Sequence, residues 1–83
     1  MPHFVYMLKS IKSKKMYTYV GYTINTKDRL LKHNTNKGAK RTRGNQWKII
    51  YKKKFCSKSL ALKYEYFLKN NRNLRSYIKI THG

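Results

Sequence analysis

The chain has 83 residues, enough for one small domain, and carries 21 Lys and Arg against two acids, which gives a formal net charge of +19. A positive charge of this density attracts polyanions, so nucleic acid is the first partner to consider. The composition excludes an intrachain disulfide, because there is one cysteine, and a membrane-spanning helix, because no apolar run approaches the roughly 20 residues required.

The first half of the chain predicts two strands. The apolar run 4–8 is rich in β-forming residues and indicates a buried strand. A basic connection over 9–15 leads to a second strand over 16–23, and a link of seven residues suits an antiparallel hairpin. Alternation along the second strand puts Tyr19 and Gly21 on the same face. Gly21 indicates a bulge, or a close approach of a ligand or of backbone.

A helix, a loop and a third strand are predicted next. Asn25 or Thr26 can cap a helix over 27–34, with Asp28 in its first turn near the positive end of the helix dipole. The stretch 34–45 is polar and basic and predicts a loop, and 47–55 predicts the third strand.

The remaining residues predict one more helix and a short element. Ser57 or Ser59 can begin a helix over 60–70. Its apolar stripe is expected to comprise Leu60, Tyr64, Phe67 and Leu68. A final element over 74–80 is not assigned to a type. The expected fold is a single α/β domain of the α+β type over 1–83, with a small, mainly antiparallel three-stranded sheet flanked by helices.

A series of short motifs runs through these elements. The two strands carry Phe4-Val5-Tyr6 and Tyr19-Val20-Gly21, and the pair resembles the GIY-YIG nuclease family, named for two such tripeptides. The series continues with Asp28-Arg29-Leu30, with His33-Asn34 and with Ala61-Leu62-x-x-Glu65. The resemblance covers residues 4–68 and implies an endonuclease that hydrolyses phosphodiester bonds.

Two further features narrow the resemblance. Gly38-Ala39-x-Arg41-Thr42 and Trp47 are similar to the catalytic domain of the eukaryotic endonuclease subunit that cuts branched DNA beside a large scaffold protein. This implies branched or flapped DNA as substrate, and roles in DNA repair and recombination. A structural zinc site is not expected, since His3, His33, His82 and Cys56 lack zinc-ligand spacing. The zinc-binding domain that follows the catalytic domain in that subunit is also not expected in this chain. A scaffold partner therefore stays open.

The expected location is intracellular. The single cysteine fits a reducing compartment, and the N-terminal apolar run is too short for a signal peptide. A minimal chain rich in lysine and asparagine fits a virus or mobile element, so the nucleus, the cytoplasm and a viral factory are all compatible. No membrane partner is expected.

The resemblance implies catalytic roles for charged residues. Glu65 would hold one divalent ion, Mg²⁺ or Mn²⁺, that stabilises the leaving oxygen, and the alternative is an exposed helical Glu paired with Lys69. Arg29 would pair with the scissile phosphate, because its guanidinium stays protonated and offers several donors. His33 would hydrogen bond to the phosphate or a base, and the alternative is a structural histidine.

The resemblance also implies roles for Tyr6 and Tyr19. One should activate the attacking water and the other should position water or phosphate, with Tyr6 preferred as the base. A phenol is a poor base unless nearby cations favour the phenolate. The net charge, Arg29 and a bound metal ion act in that direction. The alternative for both tyrosines is ordinary packing within the strands.

DNA contacts are expected around this site. The residues assigned to them are Gly21, Tyr22, Lys37, Lys40, Arg41 and Arg43. Trp47 would also contact DNA or, as the stronger alternative, lie in the core. Asn34 would support the catalytic residues or cap the first helix.

Three functions are compatible with the chain. The first is a metal-dependent DNA endonuclease, favoured by Glu65, Arg29 and both tyrosines. The second is a non-catalytic nucleic-acid-binding module of the same fold. The third, a basic RNA-binding or ribosome-associated protein, predicts no role for a lone glutamate.

Overall fold

Three strands and three helices make up the fold. The computed structural model describes residues 2–12, 15–35, 37 and 44–82. The elements are β1 His3–Lys12, β2 Lys15–Thr23, α1 Thr26–Asn34, β3 Lys48–Phe55, α2 Lys58–Lys69 and α3 Arg72–His82. The strands form one antiparallel sheet in the order β2-β1-β3. The predicted α+β architecture is confirmed, and the unassigned C-terminal element is a helix.

The connection between the first two strands differs from the prediction. β1 continues to Lys12 and β2 begins at Lys15, where these two residues pair, so the link is residues 13–14 and not seven residues. The charge of residues 9–15 predicts a connection, but residues 9–12 form strand because pairing with β2 satisfies their backbone hydrogen bonds.

One face of the sheet, here called the core face, is covered by α2 and α3. Its buried cluster comprises Val5, Met7, Val20, Ile50, Ala61, Leu68 and Ile78. A bulge between β1 and β3 at Met7/Leu8 lets two successive residues of β3, Ile50 and Tyr51, both pack against this cluster. The alternation predicted for β2 is confirmed here, since Val20 lies in the core face cluster and Tyr19 does not.

The predicted apolar stripe of α2 is partly wrong. Leu60 is 48% exposed and Phe67 is 50% exposed, whereas Ala61 and Leu68 are fully buried. Ala61 and Leu68 lie two turns apart on one side of the helix. The side of α2 that bears Ala61 and Leu68 therefore faces the sheet, and Leu60 and Phe67 lie away from it. Ser57 begins this helix by accepting a hydrogen bond from the Leu60 amide.

The opposite face, here called the site face, is covered by α1. Tyr6, Leu8 and Trp47 are buried there, with Tyr19, Leu30 and Ile49 packed against them. Asn25 caps α1 by accepting a hydrogen bond from the Asp28 amide, as one of the two predicted caps. Within the described part of the chain, no helix is long and apolar enough to cross a bilayer.

Candidate active site

The site is built around Tyr6, which lies in the middle of the central strand. Its side chain points to the site face and is 2% exposed. Two residues of α1 meet its hydroxyl: Arg29 donates from Nε at 3.4 Å, and His33 Nε2 lies 2.9 Å away. Arg29 and His33 are one helical turn apart, so both can reach the same atom. The hydroxyl can therefore accept from Arg29 and donate to His33.

Gly21 makes room for the Tyr6 ring. The two residues pair directly across β1 and β2, so any side chain at position 21 would share the site face with Tyr6. A Cβ atom there would meet the Tyr6 hydroxyl and would lie 2.5 Å from ring carbon Cζ. The pairing of β1 with β2 is regular on both sides of Gly21. The glycine is therefore explained by close approach of the Tyr6 side chain, and the alternative of a bulge at Gly21 is wrong.

Replacing Gly21 with Ala is expected to destabilise the protein by roughly 1–3 kcal/mol, the usual cost of overpacking. For a domain of this size that lowers the melting temperature by roughly 5–20 °C. Thermal unfolding followed by circular dichroism measures the effect. In a Tyr6→Leu background the same change should cost much less, because the ring atoms that it meets are gone. An equal cost in both backgrounds would contradict this explanation of Gly21.

Tyr19 completes an aromatic group around His33. Its ring centroid lies 6.5 Å from that of Tyr6 and 5.0 Å from that of His33. Unlike Tyr6, Tyr19 is half-buried, and it makes a smaller contribution than Tyr6 to the raised pKa of Arg29. The guanidinium is thus affected by both Tyr6 and Tyr19.

The surroundings of these side chains shift their protonation equilibria. Burial raises the pKa of Tyr6 to about 12, and the opposing effect of Arg29 is smaller. Burial, and then the positive charge of Arg29, lowers the pKa of His33. The hydrogen bond to Tyr6 raises the pKa of Arg29. At neutral pH the site therefore contains a neutral phenol, a neutral imidazole able to accept its proton, and a permanent cation.

Glu65 belongs to α2, which packs against the core face of the sheet. After the larger effects of burial, Arg29 and Tyr19, its carboxylate makes a small contribution to the raised pKa of Tyr6. The side chain is 19% exposed, and its Oε2 atom lies 3.6 Å from Lys69 Nζ, so the ion pair considered as the alternative role is present. Among the described residues, no three His, Cys, Asp or Glu side chains cluster in a way that could hold a metal ion.

The other predicted site residues are dispersed. Tyr22 lies on the core face, where its hydroxyl is 2.7 Å from His3 Nδ1. Lys37 is exposed. Lys40, Arg41 and Arg43, the basic residues of the predicted loop, lie outside the described residues.

Asn34 and Trp47 form a structural clamp beside the site. The Asn34 amide donates to the Trp47 carbonyl at 3.0 Å and accepts from the Trp47 backbone N–H. These two hydrogen bonds join the end of α1 to the start of β3. Trp47 is buried against Tyr6 and Leu8. Thr35, and not Asn34, is the C-cap residue of α1.

Sequence reasoning assigned no role to the lysines of β3. Lys52 pairs with Tyr6 and Lys54 pairs with Phe4, so both lie on the site face, whereas Lys53 pairs with Val5 on the core face. Because alternate strand residues share a face, the sequence predicts that Lys52 and Lys54 lie on one face and Lys53 on the other. Which face is the site face follows only from the pairing of β3 with β1.

Comparison with known proteins places the chain in a family. Residues 2–77 match the GIY-YIG catalytic domain. A UPF0213 protein of Oceanobacillus iheyensis is 46% identical over 68 residues, which cover 81% of this chain and 76% of that protein. A protein of Acanthamoeba polyphaga mimivirus is 43% identical over 65 residues, which cover 72% of this chain and 38% of the viral protein.

A solved structure agrees with this assignment. The solution NMR structure of the UPF0213 protein BH0048 from Bacillus halodurans is 32% identical and matches with a TM-score of 0.54. The match covers 100% of this chain and 88% of that one. Together with the domain match over residues 2–77, these similarities show that the chain belongs to the GIY-YIG catalytic domain family.

Proposed function

We propose that this protein is a metal-dependent DNA endonuclease that prefers branched or flapped DNA. The GIY-YIG domain match supports phosphodiester hydrolysis, and the net charge of +19 supports a polyanionic substrate. The observation that carries the proposal is the Tyr6 hydroxyl held between Arg29 Nε and His33 Nε2. A buried phenol that can pass its proton to a neutral imidazole is equipped for general base catalysis.

The proton path follows from these contacts. As a water oxygen attacks the phosphorus atom, Tyr6 accepts the water proton and gives its own proton to His33 Nε2. The bond from phosphorus to the 3′ oxygen breaks, and this oxygen takes a proton from solvent. The products carry 5′-phosphate and 3′-hydroxyl ends, as the family resemblance implies. Tyr19, half-buried beside the same imidazole, positions the water or the phosphate.

Arg29 stabilises the charge that develops on the phosphoryl oxygens. Its Nε atom is engaged by Tyr6, and its raised pKa keeps it cationic throughout. A guanidinium has further N–H donors that can bind phosphate oxygens while Nε stays on Tyr6. Arg29 therefore links the base to the phosphate that the base must act on.

Glu65 is the residue that would hold the divalent ion. A single carboxylate suits Mg²⁺, which keeps several of its waters and is commonly bound through one or two carboxylates and substrate phosphates. The partial exposure of Glu65 leaves room for such waters, and the small contribution of its carboxylate to the raised pKa of Tyr6 is consistent with this assignment. When bound, the ion neutralises charge on the phosphate and the leaving oxygen.

Branched substrates should be cut at least about tenfold faster than linear duplex at matched salt. Contacts to a second duplex arm of the DNA raise the overall affinity, while the cleavage step stays the same. The motif from Gly38 to Thr42 and the basic residues of the predicted loop support this preference. Cleavage of labelled flap, fork, four-way junction and linear DNA measures it. The double variant Arg41→Glu and Arg43→Glu should lose more of the branch preference than of linear cutting. Equal rates on linear and branched DNA would reject the preference and leave the nuclease chemistry standing.

A further inference from the structure

We propose that Lys52 and Lys54 bind the phosphates of the DNA strand that crosses the site, and that Lys53 does not. This inference rests on the proposed function, because it takes a DNA strand to lie over Tyr6. The three lysines are consecutive on β3 and all are exposed. The side chains of Lys52 and Lys54 point to the site face, whereas that of Lys53 points to the core face.

The pairing of β1 with β3 places Lys52 and Lys54 next to the reactive group. Lys52 is directly opposite Tyr6, and Lys54 is directly opposite Phe4. Residues paired in this way have Cβ atoms about 5 Å apart. The two lysines therefore border the site face along β3, which is an edge strand of the sheet.

The spacing of the two lysines suits a nucleic acid backbone. Alternate residues of a strand are about 7 Å apart, which equals the rise of about two nucleotides measured along the axis of B-DNA. Long, flexible lysine side chains can adjust to neighbouring phosphates along that path. Lys52 Nζ lies 5.2 Å from the centroid of the Phe4 ring, so its ammonium group rests over the site face.

Lys53 serves as an internal control because it has the same chemistry and a different environment. It is directed to the core face, where Nζ lies 5.7 Å from the Phe55 ring centroid and 5.0 Å from that of Tyr64. Its ammonium group is thus occupied by two aromatic rings of the opposite side. A contribution to DNA binding that came only from total charge would be equal for the three lysines.

The test measures DNA binding by the full chain and three single variants, Lys52→Ala, Lys53→Ala and Lys54→Ala, over a series of salt concentrations. Each variant removes one charge. The slope of log affinity against log salt is negative, and Lys52→Ala and Lys54→Ala should each reduce its magnitude by about 1. Lys53→Ala should leave the slope unchanged. Lys52→Arg, which keeps the charge, should retain the wild-type slope. Melting temperatures confirm that each variant is folded.

Cleavage kinetics separate this inference from the proposed function. In an active protein, Lys52→Ala and Lys54→Ala should raise KM more than they lower kcat. A protein that binds DNA without cutting it would refute the proposed function, while the salt slopes would still support the two lysines as phosphate contacts. Equal slope changes in all three variants, or none in any, would overturn the inference.

Discussion

Replacing Glu65 with Gln should abolish DNA cleavage, with a loss on the order of 10³-fold, while DNA binding is retained. The substitution keeps the size of the side chain and removes the negative charge that a divalent ion requires. Binding should not weaken, because phosphate contacts by lysine and arginine dominate affinity and the net charge becomes more positive. Single-turnover cleavage and equilibrium binding, measured on the same DNA, report the two effects separately.

Asp28 supplies the matched control, because the chain contains only these two acids. Asp28 lies in the first turn of α1, where it pairs with Lys32 at 3.4 Å and is exposed. Asp28→Asn should cost at most about 1 kcal/mol of stability through the helix dipole and the surface ion pair, and should keep cleavage. Glu65→Gln with wild-type activity, or equal losses in the two variants, would show that Glu65 has no special role.

Removing the Tyr6 hydroxyl is expected to have the second large effect. Tyr6→Phe should lower kcat by roughly 10²–10⁴-fold, the usual contribution of a general base. The ring still fills the space opposite Gly21, so the fold is kept. The lost hydrogen bond to His33 should cost about 1 kcal/mol of stability. Tyr19→Phe, the matched change on β2, should have a smaller effect on kcat, and the reverse order would transfer the role of base to Tyr19.

The pH dependence of cleavage gives a further signature of the Tyr6–His33 pair. With a pKa of about 12, only roughly one Tyr6 in 10⁵ is ionised at pH 7, so the proton must leave during the reaction and not beforehand. His33 must be neutral to accept it. Since the pKa of His33 is lowered from 6.5, activity should persist below pH 6.5 and decline at lower pH as the imidazole becomes protonated.

The free energy of unfolding should also depend on pH through His33 and Tyr6. Because the pKa of His33 is lower in the folded state, the unfolded state takes up protons first, and stability should decrease as pH falls below 6.5. Because the pKa of Tyr6 is higher in the folded state, its contribution is complete below pH 10 and is lost as pH rises toward 12.

The type and order of the elements from β1 to α2, though not the type of α3, could be predicted from local patterns, as could the side of β2 that bears Tyr19. Alternation in β2, the cap at Asn25 and the cap at Ser57 depend on neighbouring residues only, and the sequence contains them in full. The one-turn spacing of Arg29 and His33 likewise predicts that they share a side of α1. The family motifs then indicated which of these residues to consider for chemistry.

What could not be predicted depends on contacts between distant segments. The reason for Gly21 requires knowing that it pairs with Tyr6, and the distinction among Lys52, Lys53 and Lys54 requires the pairing of β3. Arg29 favours the Tyr6 phenolate, as expected, but its effect does not decide the direction of the pKa shift. Burial on the central strand raises the pKa of Tyr6 more than Arg29 lowers it. That balance depends on packing and not on composition.

Cleavage of a labelled four-way junction by the wild-type protein, with Mg²⁺ and with EDTA, tests the central claim most directly. The proposed chemistry predicts cleavage with Mg²⁺ that leaves 5′-phosphate and 3′-hydroxyl ends, and no cleavage in EDTA. Full activity in EDTA would contradict the role of Glu65 as a metal ligand. Tight binding without any cleavage in Mg²⁺ or Mn²⁺ would contradict the nuclease itself and favour a nucleic-acid-binding module of the same fold.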